Sequence, residues 1–86
     1  MQDLRKKLQL ATAKVIKENR KKSITQSADE IGMWKSMWAD LENGIKDPQL
    51  STLWRIAEGL DMKPHILVEK IEDELGEKFS FLENSD

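Results

Sequence analysis

Few residues of this chain are of a type and spacing that makes or breaks bonds. His65 is the one histidine, it follows Pro64, and no cysteine exists to join it in a metal site. It reads as a surface residue at a helix start. Glu69, Glu72, Asp73, Glu74 and Glu77 crowd together, but without the spaced oxygen ligands of a calcium loop, and they read as a solvated face. No serine–histidine–acid set and no glycine-rich phosphate loop is present. The expectation is no enzyme, no metal, no cofactor and no small-molecule substrate. The remaining chemistry is non-covalent: charge, hydrogen bonding and apolar contact.

Charge is the first of these. The 86 residues carry 14 Lys and Arg against 16 Asp and Glu, a net charge of −2, which excludes a uniformly basic nucleic-acid binder. The average conceals segregation. Residues 1–22 hold eight basic and two acidic residues, and residues 65–86 hold two basic and seven acidic. The basic end suits a polyanion, or else a solvated face that offsets the acidic end.

These groups need elements to position them. At 38% hydrophobic and 35% charged, the chain suits one small domain with a modest core. No apolar run approaches the roughly 18 residues of a membrane helix, and MQDLRKKLQL has charges where a signal peptide needs an apolar centre. A cytoplasmic protein is expected, with no membrane partner.

The spacing predicts short helices and no strands. The first covers about Asp3 to Lys22, with Leu4, Leu8, Ala11, Val15 and Ile16 on one stripe. The second covers about Thr25 to Ile31, capped by Ser23 or Thr25 and stopped by Gly32. The third covers Lys35 to Glu42, with Met33, Trp38 and Leu41 inward and Asn43-Gly44 ending it. The fourth covers about Ser51 to Gly59, with Leu50, Leu53, Ile56, Ala57 and Leu60 as its apolar face. The fifth starts at Pro64, turns Leu67, Ile71 and Leu75 inward, and stops at Gly76. Residues 1–76 form the domain, and residues 77–86 form a C-terminal extension, docked or frayed.

The segment Ile24–Asn43 has the features of a helix-turn-helix, in which one short helix holds a second at a steep angle. Ala28 is the small residue that permits close crossing. Gly32 follows four residues later as the turn, Ile31 and Met33 flank it, and Trp38 and Leu41 fall inward.

Downstream, Leu41-Glu42-Asn43-Gly44, Pro48-Gln49-Leu50 and Leu53-Trp54-Arg55-Ile56-Ala57-Glu58-Gly59-Leu60 follow in order. With KVIKENRKKSITQ upstream, this pattern resembles the phage-repressor-like (XRE-type) helix-turn-helix domain over about Ala13 to Leu67. The resemblance implies a compact, all-α, five-helix lambda-repressor-like fold with its third helix in the DNA major groove. It implies a transcriptional regulator, a small dimeric repressor on a pseudo-palindromic operator with half-sites about 34–36 Å apart. The alternative is an adaptor or antitoxin-like interaction module on the same scaffold.

Base contacts implied by the resemblance fall on Lys35, Ser36, Met37 and Asp40. Phosphate contacts fall on Gln26, Asn43, Lys46 and Arg20. Arg20 also resembles an arginine that pairs with the glutamate after the motif, here Glu42. Three positions depart from the pattern. Gln26 stands only two residues before Ala28, Ser27 replaces an apolar residue, and Trp34 occupies a helix N-cap that is usually Ser or Thr. Trp38 and Met33 are expected in the core, and Trp54 half-buried. Trp34 stacks on DNA, meets a partner or folds back. Trp34 is a candidate interface residue, and Leu67, Val68, Ile71, Leu75, Phe79 and Phe81 offer the apolar surface expected of a homodimer interface.

Overall fold

The computed structural model describes residues 2–82. Within them the chain forms α1 (Gln2–Asn19), α2 (Ile24–Glu30), α3 (Lys35–Glu42), α4 (Leu50–Gly59) and α5 (Pro64–Leu75), with no strand among the described residues. The fold is all-α, as the spacing predicts. No described helix is long and apolar enough to cross a membrane.

Three of the five helices stop by the same device. After α2, the Gly32 N–H donates to the Asp29 carbonyl and the Met33 N–H to the Ala28 carbonyl. After α3, the Gly44 N–H donates to Leu41 and the Ile45 N–H to Asp40. After α4, the Asp61 N–H donates to Glu58 and the Met62 N–H to Ala57. Each is a Schellman cap, which satisfies the last carbonyls by turning one residue left-handed. Gly32 and Gly44 take that conformation freely at φ 64° and 71°, whereas Asp61 takes it at φ 58° with a side chain attached.

α1 ends three residues earlier than the periodicity suggests. The Asn19 side chain donates to the Val15 carbonyl at 2.7 Å, and the chain leaves the helix at Arg20, whose guanidinium donates to the Lys22 carbonyl. Ser23 caps α2, its hydroxyl accepting from the Gln26 N–H at 3.0 Å. α2 therefore begins and ends one residue sooner than expected.

The core collects Val15 and Ile16 from α1, Ala28 from α2, Trp38 and Leu41 from α3, Ile56 and Ala57 from α4, and Leu67 and Ile71 from α5. Met33 is buried with them, as expected. Leu67 and Ile71 thus correct the expected interface: α5 packs along α1, which uses up their apolar surface inside the chain. Leu75 packs partly against the same core. Leu50 is a second correction. It was expected on the apolar face of α4, but it is the first residue of that helix and is 68% exposed.

Ser27 is buried despite its hydroxyl. Gly59 stands close against its neighbours. A Cβ there would stand 3.0 Å from Trp38 Cζ3 and 3.2 Å from Ile31 Cγ2, so the missing methyl lets α4 approach the α2–α3 pair. Beyond Gly76 the chain is irregular. Phe79 lies half-buried beside Leu8 and Leu75 and meets Phe81 edge to face at 5.4 Å. Residues 83–86 of the expected extension lie outside the described residues.

Candidate nucleic-acid interface

An eight-residue helix is too short to be stable alone, so the position of α3 depends on what grips it. Its inner face carries Trp38, Leu41 and Glu42, all buried. Glu42 is a buried carboxylate with three donors. Arg20 Nε donates to Oε2 at 2.6 Å, Arg20 Nη2 to Oε1 at 3.2 Å, and the Trp38 indole N–H to Oε2 at 2.6 Å. The hydrogen bond to Glu42, reinforced by its charge, raises the Arg20 pKa above the ordinary arginine value against the opposing effect of burial.

The two ends of α3 are fastened by different helices. At the N-terminal end, Arg55 of α4 donates from Nη2 to the carbonyls of Ile31 at 2.7 Å and Gly32 at 3.1 Å. At the C-terminal end, the Gly44 carbonyl accepts from Gln9 Nε2 at 2.7 Å and Lys6 Nζ at 3.2 Å, both on α1. Arg5 stands 3.8 Å from Asp47 in the same region.

The outward side of α3 has a different character. Ser36, Asp40 and Asn43, spaced i, i+4 and i+7, form a stripe opposite Trp38 and Leu41. Ser36 and Asn43 are exposed and Asp40 is half-buried. Lys35 is exposed at the start of the helix and Lys46 just beyond its end, and neither has an ion-pair partner among the described residues. Met37 packs partly against the core and has only part of its surface free. Gln26 is exposed in the first turn of α2.

Trp34 is the N-cap of α3, makes no capping hydrogen bond through its side chain, and is 82% exposed. It does not fold back on the core. Trp38 is fully buried, and Trp54 is half-exposed on α4.

The arrangement therefore brings Lys35, Ser36 and Asp40 onto one held helix, with Asn43 as its C-cap. It does not leave Arg20 free. That guanidinium, expected at a phosphate as well as on Glu42, pairs with Glu42 and spends three of its five N–H donors there and on the Lys22 carbonyl. It positions α3 instead. Sequence reasoning missed Lys6, Gln9 and Arg55, which act on backbone carbonyls and leave no pattern. It also missed the Trp38–Glu42 bond, for which the Trp-x-x-x-Glu spacing was a readable signal. Among known protein families, curated proteins and solved structures, none matches this chain.

Proposed function

We propose that this protein is a sequence-specific DNA-binding regulator that lays α3 in the major groove of duplex DNA. The observation that carries the reading is the contrast between the two sides of α3. The inner side is locked by the Arg20–Glu42–Trp38 network, and the outer side presents Ser36, Asp40 and Asn43, with Lys35 exposed at the helix start, none of them with an intramolecular hydrogen bond or ion pair from its side chain among the described residues. Rigid backing and unspent polar groups are what base readout requires.

The groups suit particular base edges. A lysine donates to guanine O6 and N7, a carboxylate accepts from the cytosine amino group, and a serine serves several edges. Asp40 thus favours a cytosine in the groove while it repels phosphate. Asn43, Lys46 and Gln26 are suited to the backbone, which supplies affinity without sequence information. The resemblance to phage-repressor-like domains supports the same reading, with two copies on a pseudo-palindromic operator in the cytoplasm and promoter occlusion as the means of repression. The test is selection of bound sequences from random duplex DNA, followed by titration of the winner at two salt concentrations. A recurrent motif with steeply salt-dependent affinity is expected. Failure to enrich any sequence overturns the reading.

A second reading has its own observation. Trp34 stands exposed at the tip of α3, and an isolated exposed tryptophan is as characteristic of protein interfaces as of stacking surfaces. An adaptor or antitoxin-like module would use it on a protein. Quenching of tryptophan fluorescence by duplex DNA in wild type, absent in Trp34→Phe, separates the two.

A further inference from the structure

Between the first half of α1 and the segment after α5 lies a cavity of about 480 Å³. Its walls are apolar: Leu4, Leu10 and Ala11 from α1, Leu75 from the end of α5, and Phe79 beyond it. Leu10 is 49% exposed, whereas the other leucines of α1, Leu4 and Leu8, are half-buried. The volume falls within the roughly 300–1,000 Å³ of small-molecule sites, which combine apolar walls with a few polar groups.

The charged groups of the cavity give its occupant a sign. Lys7, Lys14, Lys78 and Glu74 line it, and Asp3, one turn before Lys7, does not. Lys14 and Glu74 are bonded to each other at 2.9 Å and neutralise one another. Lys7 and Lys78 are exposed and have no ion-pair partner among the described residues. Two free ammonium groups beside apolar walls suit a molecule with an apolar body and an anionic head. The neighbouring cavity is the opposite case. It also measures about 480 Å³ and shares Leu75 and Phe79, but its charged groups are Glu72, Asp73 and Glu77, all acidic. An amphiphilic anion therefore fits one of the two and is repelled by the other.

We propose that this cavity binds a single-chain amphiphilic acid, a carboxylate or sulfate with an apolar tail. The tail lies against Leu4, Leu10, Leu75 and Phe79, and the head meets Lys7 and Lys78. Its role is that of an effector, because Leu10 gives it a route to α3. Leu10 lines the cavity, and its Cδ2 stands 2.7 Å from where a Cβ on Gly44 would be, in the turn that follows α3. The Gly44 carbonyl is the one held by Lys6 and Gln9, from the same stretch of α1. Filling the cavity bears on Leu10, and through it on the C-terminal fastening of α3, whatever α3 binds.

The experiment is titration of the whole chain with monomeric decanoate, followed by amide chemical shifts, beside a titration with decyltrimethylammonium, which has the same tail and the opposite charge. No DNA is present, so the outcome is independent of the DNA-reading proposal. Decanoate is expected to bind saturably and to shift Lys7, Leu10, Leu75 and Phe79, and through Leu10 also Gly44 and Ile45. Decyltrimethylammonium is expected to bind there about tenfold more weakly or less. Lys7→Glu/Lys78→Glu weakens decanoate by about tenfold or more and reverses the preference between the two amphiphiles. Lys17→Glu/Lys21→Glu removes as much positive charge from exposed sites outside the cavity and leaves decanoate binding within about twofold of wild type. All four lysines are exposed, and unchanged thermal unfolding midpoints confirm that the fold is kept. Equal binding of the two amphiphiles overturns the proposal, as do decanoate shifts centred on Glu72, Asp73 and Glu77, equal losses in the two double variants, or resonances of Gly44 and Ile45 that stay in place. Binding to phosphatidylglycerol vesicles without any binding of monomeric decanoate also overturns it, in favour of a membrane surface.

Discussion

The indole N–H of Trp38 and the Nε–H of Arg20 converge on a single oxygen, Oε2 of Glu42, each at 2.6 Å. One carboxylate thereby ties the chain just after α1 to the inner face of α3. Glu42→Gln keeps the volume but removes the charge opposite Arg20. The expected cost is about 1–3 kcal/mol in urea unfolding, lower than for a fully buried pair because Arg20 keeps some contact with water. A double-mutant cycle with Arg20→Ala should show strong coupling. Purely additive losses would mean that the network does not act as a unit.

Gly32 and Gly44 share a left-handed backbone but not the same surroundings. A Cβ on Gly32 would meet nothing within 4 Å, whereas one on Gly44 would lie 2.7 Å from Leu10 Cδ2. Gly32→Ala is expected to cost about 1–2 kcal/mol, the conformational penalty alone. Gly44→Ala carries the same penalty and must also displace Leu10 beside the carbonyl that Gln9 and Lys6 hold. Equal losses in thermal or urea unfolding would contradict this difference.

Lys35 opens α3 and Lys46 lies beyond its end, and the two should behave differently toward DNA. Lys35→Ala is expected to cost about 1–3 kcal/mol on the preferred site and to relax choice at one base position. Lys46→Ala should weaken all sequences alike and reduce the slope of log affinity against log salt by about one. Asp40→Asn should raise non-specific affinity and lower discrimination at the cytosine position. Anisotropy titrations on matched and mismatched duplexes read all three.

Lys14 is hydrogen-bonded to Glu74 at 2.9 Å, tying α1 to α5. That hydrogen bond, then the charges of Glu74 and Glu18, raise its pKa above the ordinary lysine value. A raised lysine stabilises the fold fully at pH below the unfolded value, and the contribution disappears as pH climbs through the folded value. Glu74→Gln should therefore lower stability at neutral pH by a small amount, as the pair is exposed, and the difference from wild type should vanish as pH climbs through the folded value. Circular dichroism along a base titration checks this.

The fold was legible where a local signal coincided with a backbone need. α3 runs from Lys35 to Glu42 as its spacing indicates, because Gly32 and Gly44 punctuate it on both sides. The fate of Leu67 and Ile71 was not legible. Their apolar surface looked surplus on a short last helix, and only α1, far away in sequence, shows where it goes. Leu50 fitted the stripe of α4 by periodicity, but a first residue lies at the edge of a contact. The site was half legible. Its outward residues follow from the motif, and the Arg20–Glu42 pair from the resemblance. Its fastenings through Gln9, Lys6 and Arg55 end on carbonyl oxygens, and any residue supplies a carbonyl, so no residue type announces them. Gly59 was likewise hidden, since a helical glycine gives no sign of the tryptophan packed against it.

Because α1 holds the turn after α3 and α4 the turn before it, α3 has little conformational freedom of its own left to lose. Association at its outward side should thus carry a small ordering entropy, concentrated in the side chains of Trp34, Lys35 and Ser36 rather than in the backbone. Any adjustment of shape on contact falls to the ligand, and a duplex bound here would have to bend or twist to fit the protein.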